Sequence, residues 1–202
     1  MTARRASIYS PHPGFKMEEA YHRNLKERTG KTLEQWVAFV KKSGPAGKRP
    51  RIDWLKQDHG LTTNYATWIA DSVDGQGLSL ESYDPDAMVE AMFAGAKAGL
   101  RPIYDRLLKL AFSLGKDVKA SPGKTMVPLY RHRLFARLTP STRTRLDLGL
   151  ALEESTKATG RLIDIQDKSK NRINRQIGIS SLDEIDDEVK RWLKNAYDLD
   201  EA

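Results

Sequence analysis

The sequence predicts an α+β protein: a small all-α N-terminal domain, followed by an α+β domain in which a short antiparallel sheet packs against helices. Three observations predict it. Apolar residues recur at helical spacing between Met17 and Ile69. Runs of alternating apolar and polar residues follow Thr125, and a capped amphipathic segment lies beyond Ser181. With 202 residues, 39% hydrophobic and 30% charged, the chain can bury one medium core or two small ones.

Residues 1–15 read as a flexible arm, because Pro11, Pro13 and Gly14 interrupt regular structure. Residues 16–73 form the expected helical domain. A first helix from Met17 to Arg28 stops at Gly30, a C-cap residue. Thr32 is the N-cap of a second, with Leu33, Trp36, Val37 and Val40 on one face. Ser43, Gly44, Pro45 and Gly47 end it. A third short helix spans Arg51 to Asp58, Gly60 turns the chain, and Thr62 or Thr63 caps a fourth through Trp68 and Ile69. Residues 74–83, with Gly75 and Gly77, read as a linker.

Residues 84–202 form the expected α+β domain. Asp84-Pro85 is an N-cap followed by proline at the first helical position. Met88, Val89, Met92 and Phe93 make an apolar face, and Pro102 either kinks this helix or starts another that runs through Leu107, Leu108 and Ala111 to Gly115. Strand patterns cover Thr125–Tyr130, Arg133–Leu138 and Arg143–Leu150, with Pro140 and Ser141 turning the chain between the last two. Glu153 to Lys170 is a long polar stretch, and Asn174–Ile179 is a fourth strand. Ser181 and Glu184 spell a capping box for a last helix, with Ile185, Val189, Trp192 and Ala196 at helical spacing.

The composition excludes several classes of function. There is no cysteine, so disulfides, thiolate metal sites and thiol nucleophiles are absent. Mean hydropathy is −0.60, no apolar run reaches membrane-spanning length, and no apolar stretch follows Arg4 and Arg5 as in a secretory signal. A cytoplasmic protein is expected, with no membrane partner. Gly30-Lys31-Thr32 and Gly123-Lys124-Thr125 resemble the end of a phosphate-binding loop. However, Leu25 and Val118 stand where that loop needs its first glycine. The four histidines, at 12, 22, 59 and 132, are scattered and form no metal-ligand set. No catalytic residue, metal ligand or cofactor is assigned, and the expectation leans away from an enzyme.

Charge is the informative feature. The net charge is +7, but residues 97–145 carry 12 Lys and Arg against two acids, Asp105 and Asp117, for a block charge of +10. Such a block attracts polyanions, unless the acids between Asp183 and Glu188 fold back onto it. Strand alternation places Leu134, Ala136 and Leu138 on one face, leaving Arg133, Phe135 and Arg137 opposite. Likewise Leu146, Leu148 and Leu150 face away from Arg143, Arg145 and Asp147. With helices on the leucine face, the outer face is expected to carry arginines around one phenylalanine, with Lys124 and Arg131 extending the patch. Arginines grip phosphates and an aromatic ring stacks a base. The competing reading makes Phe135 a core residue and scatters the basic groups. In the helical domain, Leu55, Gly60, Leu61, Ala66 and Ile69 have helix–turn–helix spacing. That spacing exposes Thr62, Thr63 and Asn64 as groups able to touch phosphates or base edges.

Two segments carry a family resemblance. TGKTLEQWVAFVKKSG and WLKQDHGLTTNYATWI, within Met17 to Ile69, resemble the bacterial helical domain of unknown function 4287. LRPIYDRLLKLAFSLGKDV, RLFARLTP, RLDLGLAL and SSLDEIDDEVKRWLKNAY, within Tyr83 to Tyr197, resemble domain of unknown function 5655. The resemblance implies a bacterial two-domain architecture without a catalytic signature. One departure stands out: after His59-Gly60 the first family shows a further glycine and histidine, where this chain has Thr62, Thr63 and Asn64. The expected function is that of a nucleic-acid-binding accessory protein using residues 97–145. The alternatives are a module for a small anionic ligand (a nucleotide or phosphorylated metabolite) and a module that docks an acidic protein partner.

Overall fold

Side-chain caps open three helices among the described residues, at Thr32, Asp84 and Asp186. The computed structural model describes residues 7–11, 23–75, 83–165 and 172–201. Most of the expected arm, the first turns of the helix from Met17, His12, His22, the middle of the linker and the end of the polar 153–170 stretch lie outside those residues. The chain divides into two compact units, Pro11–Tyr83 and Asp84–Ala202, the second taking in the segment before Pro11.

In the helical unit, residues 23–29 (α1) are helical and end at Gly30, whose φ of +75° is the left-handed conformation glycine adopts without strain. Thr32 caps Leu33–Ser43 (α2) through a full capping box. Its hydroxyl accepts from the Gln35 amide, and the Gln35 side chain accepts from the Thr32 amide at 2.9 Å. Lys48–Gln57 (α3) starts three residues earlier than its sequence pattern suggests, with Pro50 accommodated in its first turn. Gly60 (φ +65°) reverses the chain into Thr63–Val73 (α4), with Thr62 in the N-cap position but no side-chain capping bond. Leu25, Trp36, Val40, Leu55, Leu61, Tyr65, Ala66 and Ile69 form the core of this unit.

In the second unit, Asp84 caps Pro85–Met92 (α5) by accepting from the Ala87 amide at 3.0 Å. The chain then passes through a 3₁₀ turn, Gly95–Leu100, into Arg101–Leu114 (α6). Pro102 therefore opens a new helix, in the first turn where its missing N–H costs nothing. The sheet has six antiparallel strands in the order β1-β2-β3-β4-β6-β5. They are Lys119–Ala120 (β1), Val127–Tyr130 (β2), Leu134–Thr139 (β3), Leu146–Leu150 (β4), Ile163–Asp164 (β5) and Arg175–Ile179 (β6). The two-residue strands β1 and β5 at the edges carry no sequence pattern. A 3₁₀ turn, Leu182–Glu184, precedes Asp187–Asp198 (α7). The cap of α7 is Asp186, whose carboxylate accepts from the Val189 amide, and not the Ser181 of the S-x-x-E pattern.

One face of the sheet is the core. Leu129, Ala136, Leu138, Leu148, Leu150 and Ile177 meet Tyr104, Leu107 and Leu108 of α6 and Val189 and Leu193 of α7 there. The segment before Pro11 also belongs to this core. Tyr9 packs on it and shares a hydrogen bond of 3.0 Å with the buried Tyr104 hydroxyl, and the Ser10 amide donates to the Ala120 carbonyl.

Candidate nucleic-acid interface

The expected outer face with arginines around Phe135 is corrected by a β-bulge. Leu129 pairs with Ala136 but Tyr130 pairs with Leu134, so β3 carries one residue more than β2 at this point. A bulge breaks the alternation of side chains. Phe135 turns inward with no exposed surface, its ring centroid 5.7 Å from that of Tyr197 on α7. Leu134 is left half-buried in its place. No base can stack on Phe135.

Past the bulge the alternation resumes. Across the outer face Arg137 stands opposite Gly149, which pairs with Gln176; Thr139 stands opposite Asp147, which pairs with Gly178. The two glycines let long side chains lie flat on the sheet. A Cβ at Gly149 would sit 2.7 Å from Ile173 Cγ2 and 3.6 Å from Arg137 Nε; one at Gly178 would sit 2.8 Å from Arg145 Cδ. Arg145 is also held by Asp147 (2.8 Å), which accepts a second bond from the Ser141 hydroxyl. Arg137 of β3 and Arg145, just before β4, are thus partly packing groups, their side chains covering glycine backbone.

At the β2–β3 end the two arginines of the turn, Arg131 and Arg133, are paired with acids. Arg131 donates to Asp117 at 2.8 Å, faces Glu201 at 3.6 Å and lies 4.3 Å from the centroid of the Tyr197 ring. Asp200, fully buried, accepts from the amides of His132 (3.1 Å) and Arg133 (2.8 Å) and pairs with the Arg133 and Arg172 guanidinium groups. Burial by itself raises the Asp200 pKa, but these donors outweigh it and hold the carboxyl below its ordinary value. Asp117 is likewise held low, first by its hydrogen bond from Arg131 and then by that from the Tyr197 hydroxyl. The acids that answer the basic block at this end are therefore Asp117, Asp200 and Glu201. Asp186 and Glu188, expected as candidates, pair instead with Arg161 at 2.6 and 3.0 Å.

The opposite end differs. Val127, at the start of β2, pairs with Leu138, near the end of β3, so the β1–β2 turn (121–126) and the β3–β4 turn (140–145) lie side by side. Lys124 projects from the first turn and Arg143 from the second; both are exposed, and neither bonds an acid among the described residues. Lys97 joins them. Its ammonium donates to the Pro140 carbonyl at 2.6 Å, a contact that leaves its charge uncompensated. Arg106 and Lys109, exposed on α6, line a groove of about 200 Å³ with Lys190. Lys97, Arg106 and Lys109 escaped the strand-based reading, although the i, i+3 spacing of the last two on a helix was a readable signal.

Thr62, Thr63 and Asn64 belong to the helical unit, exposed at the start of α4, where the Thr62 side chain makes no capping bond. The anchors expected for the helical pair are in place: Leu55, Leu61, Ala66 and Ile69 are all buried. Among the described residues no group of three or more His, Asp or Glu converges as a metal site, and no helix is long and apolar enough to cross a membrane.

No curated protein and no solved structure gives a significant match to the chain. Family models do. One for a domain of unknown function, DUF4287, matches residues 18–75, and one for a domain of unknown function, DUF5655, matches residues 89–200. The order and extent agree with the resemblance carried by the sequence segments. Since the second match spans more than half of the chain, the protein belongs to the DUF5655 family, with a DUF4287 domain on its N-terminal side.

Proposed function

We propose that this chain is a nucleic-acid-binding accessory protein that grips backbone phosphates with the turn end of its sheet. The observation that carries the reading is the gathering of Lys97, Lys124 and Arg143 at that end, where Asp147, at the start of β4, is engaged by Arg145. Exposed lysine and arginine side chains without acid partners attract polyanions and release counterions on contact. With Phe135 in the core, the surface reads charge and spacing rather than base identity, so binding is sequence-independent.

Fluorescence anisotropy with labelled duplex DNA, single-stranded DNA and RNA, each titrated at several salt concentrations, tests the reading. Binding to at least one of them at low salt, falling steeply as salt rises, is expected. Absence of binding to all three at low salt overturns it.

A further inference from the structure

We infer that the helical unit contains a separate binding site for a small organic phosphate, in the cavity between the end of α1 and the α3–α4 turn. The cavity measures about 410 Å³, within the range of metabolite pockets and larger than an inorganic anion requires. Its lining includes Arg28, Lys31, Trp36, His59, Thr62 and Tyr65. Arg28 and Lys31 are exposed and bond no acid among the described residues. Lys31 is instead positioned over the Trp36 ring, 4.8 Å from its centroid.

His59 borders the cavity as part of an aromatic cluster. Its imidazole stands edge-on to Trp36, Phe39 and Trp54, with centroid distances of 5.6, 5.1 and 4.5 Å, which fixes the ring in one orientation. Its Nε2 is shielded from solvent and has no hydrogen-bond partner. That nitrogen lies out of a ligand's reach as the ring stands, so the phosphate contacts fall to the cavity's exposed groups. Two cations and the Thr62 hydroxyl, which makes no capping bond, line the cavity from different elements, which suits the several oxygens of a phosphate. Trp36 and Tyr65 supply flat apolar walls for the organic part of the ligand.

The test is ¹H–¹⁵N NMR of the full chain, titrated to millimolar concentrations with inorganic phosphate, adenosine 5′-monophosphate and adenosine. It follows the Trp36 indole N–H, which donates to Thr29 Oγ1 at 2.8 Å beside the cavity, and the His59 ring. Saturable shifts with adenosine 5′-monophosphate, weaker ones with phosphate and none with adenosine are expected. Arg28→Ala and Lys31→Ala, both on exposed positions that the fold does not need, should each weaken binding about tenfold. Lys124→Glu with Arg143→Glu should leave it unchanged, so this site and the sheet-end surface stand or fall separately. No response to either phosphate compound, an equal response to adenosine, or full binding by the two alanine variants overturns the site.

Discussion

Asp200 shows how one buried carboxylate decides what a basic cluster is for. It is fully buried and accepts from two backbone amides and two guanidinium groups, so Arg133 and Arg172 serve the fold at the β2–β3 end. Removing the carboxylate strands two amides and leaves two cations facing each other, which costs about 3 kcal/mol. Asp200→Ala should lose that much in urea unfolding; a change below about 1 kcal/mol would contradict the role given to it. The sign of the pH effect follows from its lowered pKa. A carboxylate whose folded pKa lies below its unfolded one stabilises the protein above the unfolded value, and that contribution vanishes as pH falls through the folded one. Asp117 shifts in the same direction. Stability should therefore fall on acidification below about pH 4, and Asp200→Ala should flatten that limb of a pH–stability curve. Charge counting along the sequence exposed the basic block but not this pairing, because the acid lies 67 residues from Arg133.

The elements were legible where local chemistry governs and obscure where pairing geometry does. The Thr32 cap and the Asp84-Pro85 start follow from side chains within three residues, and both appear as read from sequence. Thr32→Ala should lower stability by about 1 kcal/mol in thermal or urea unfolding. At α7 two caps compete within six residues. The S-x-x-E pattern belongs to a 3₁₀ turn, and Asp186 holds the helix, so Asp186→Ala should lower the melting temperature clearly more than Ser181→Ala. The reverse order would reassign the cap. Strand β3 is the case that sequence alternation misreads: one extra residue at the bulge exchanges Phe135 for Leu134 on the outer face. Nothing local marks a bulge that is imposed by the register of the neighbouring strand. Phe135→Ala should cost about 3–5 kcal/mol as a core truncation. On the proposed function the folded variant should bind nucleic acid as the unmodified chain does, since the ring is buried against Tyr197.

At the scale of the whole molecule, a local charge of +10 does not become a uniform basic surface. Antiparallel pairing sends alternate turns to opposite ends of the sheet. One end meets Asp117, Asp200 and Glu201; the other receives Lys97, Lys124 and Arg143 without comparable compensation. On the proposed function the two ends should contribute differently to polyanion binding, and charge reversal separates them. If about three phosphates are contacted at the turn end, the logarithm of the duplex association constant falls against the logarithm of salt concentration with a slope near −2.7. Lys124→Glu with Arg143→Glu should reduce that slope by roughly 2 and weaken binding at low salt. Arg131→Ala removes an arginine whose charge is already matched by Asp117 and Glu201, so its slope should stay close to that of the unmodified chain. Anisotropy titrations of the three proteins at four or more salt concentrations give all the slopes. A larger loss in Arg131→Ala than in the turn-end double variant would move the phosphate contacts to the β2–β3 end and show that nucleic acid displaces the acids held there.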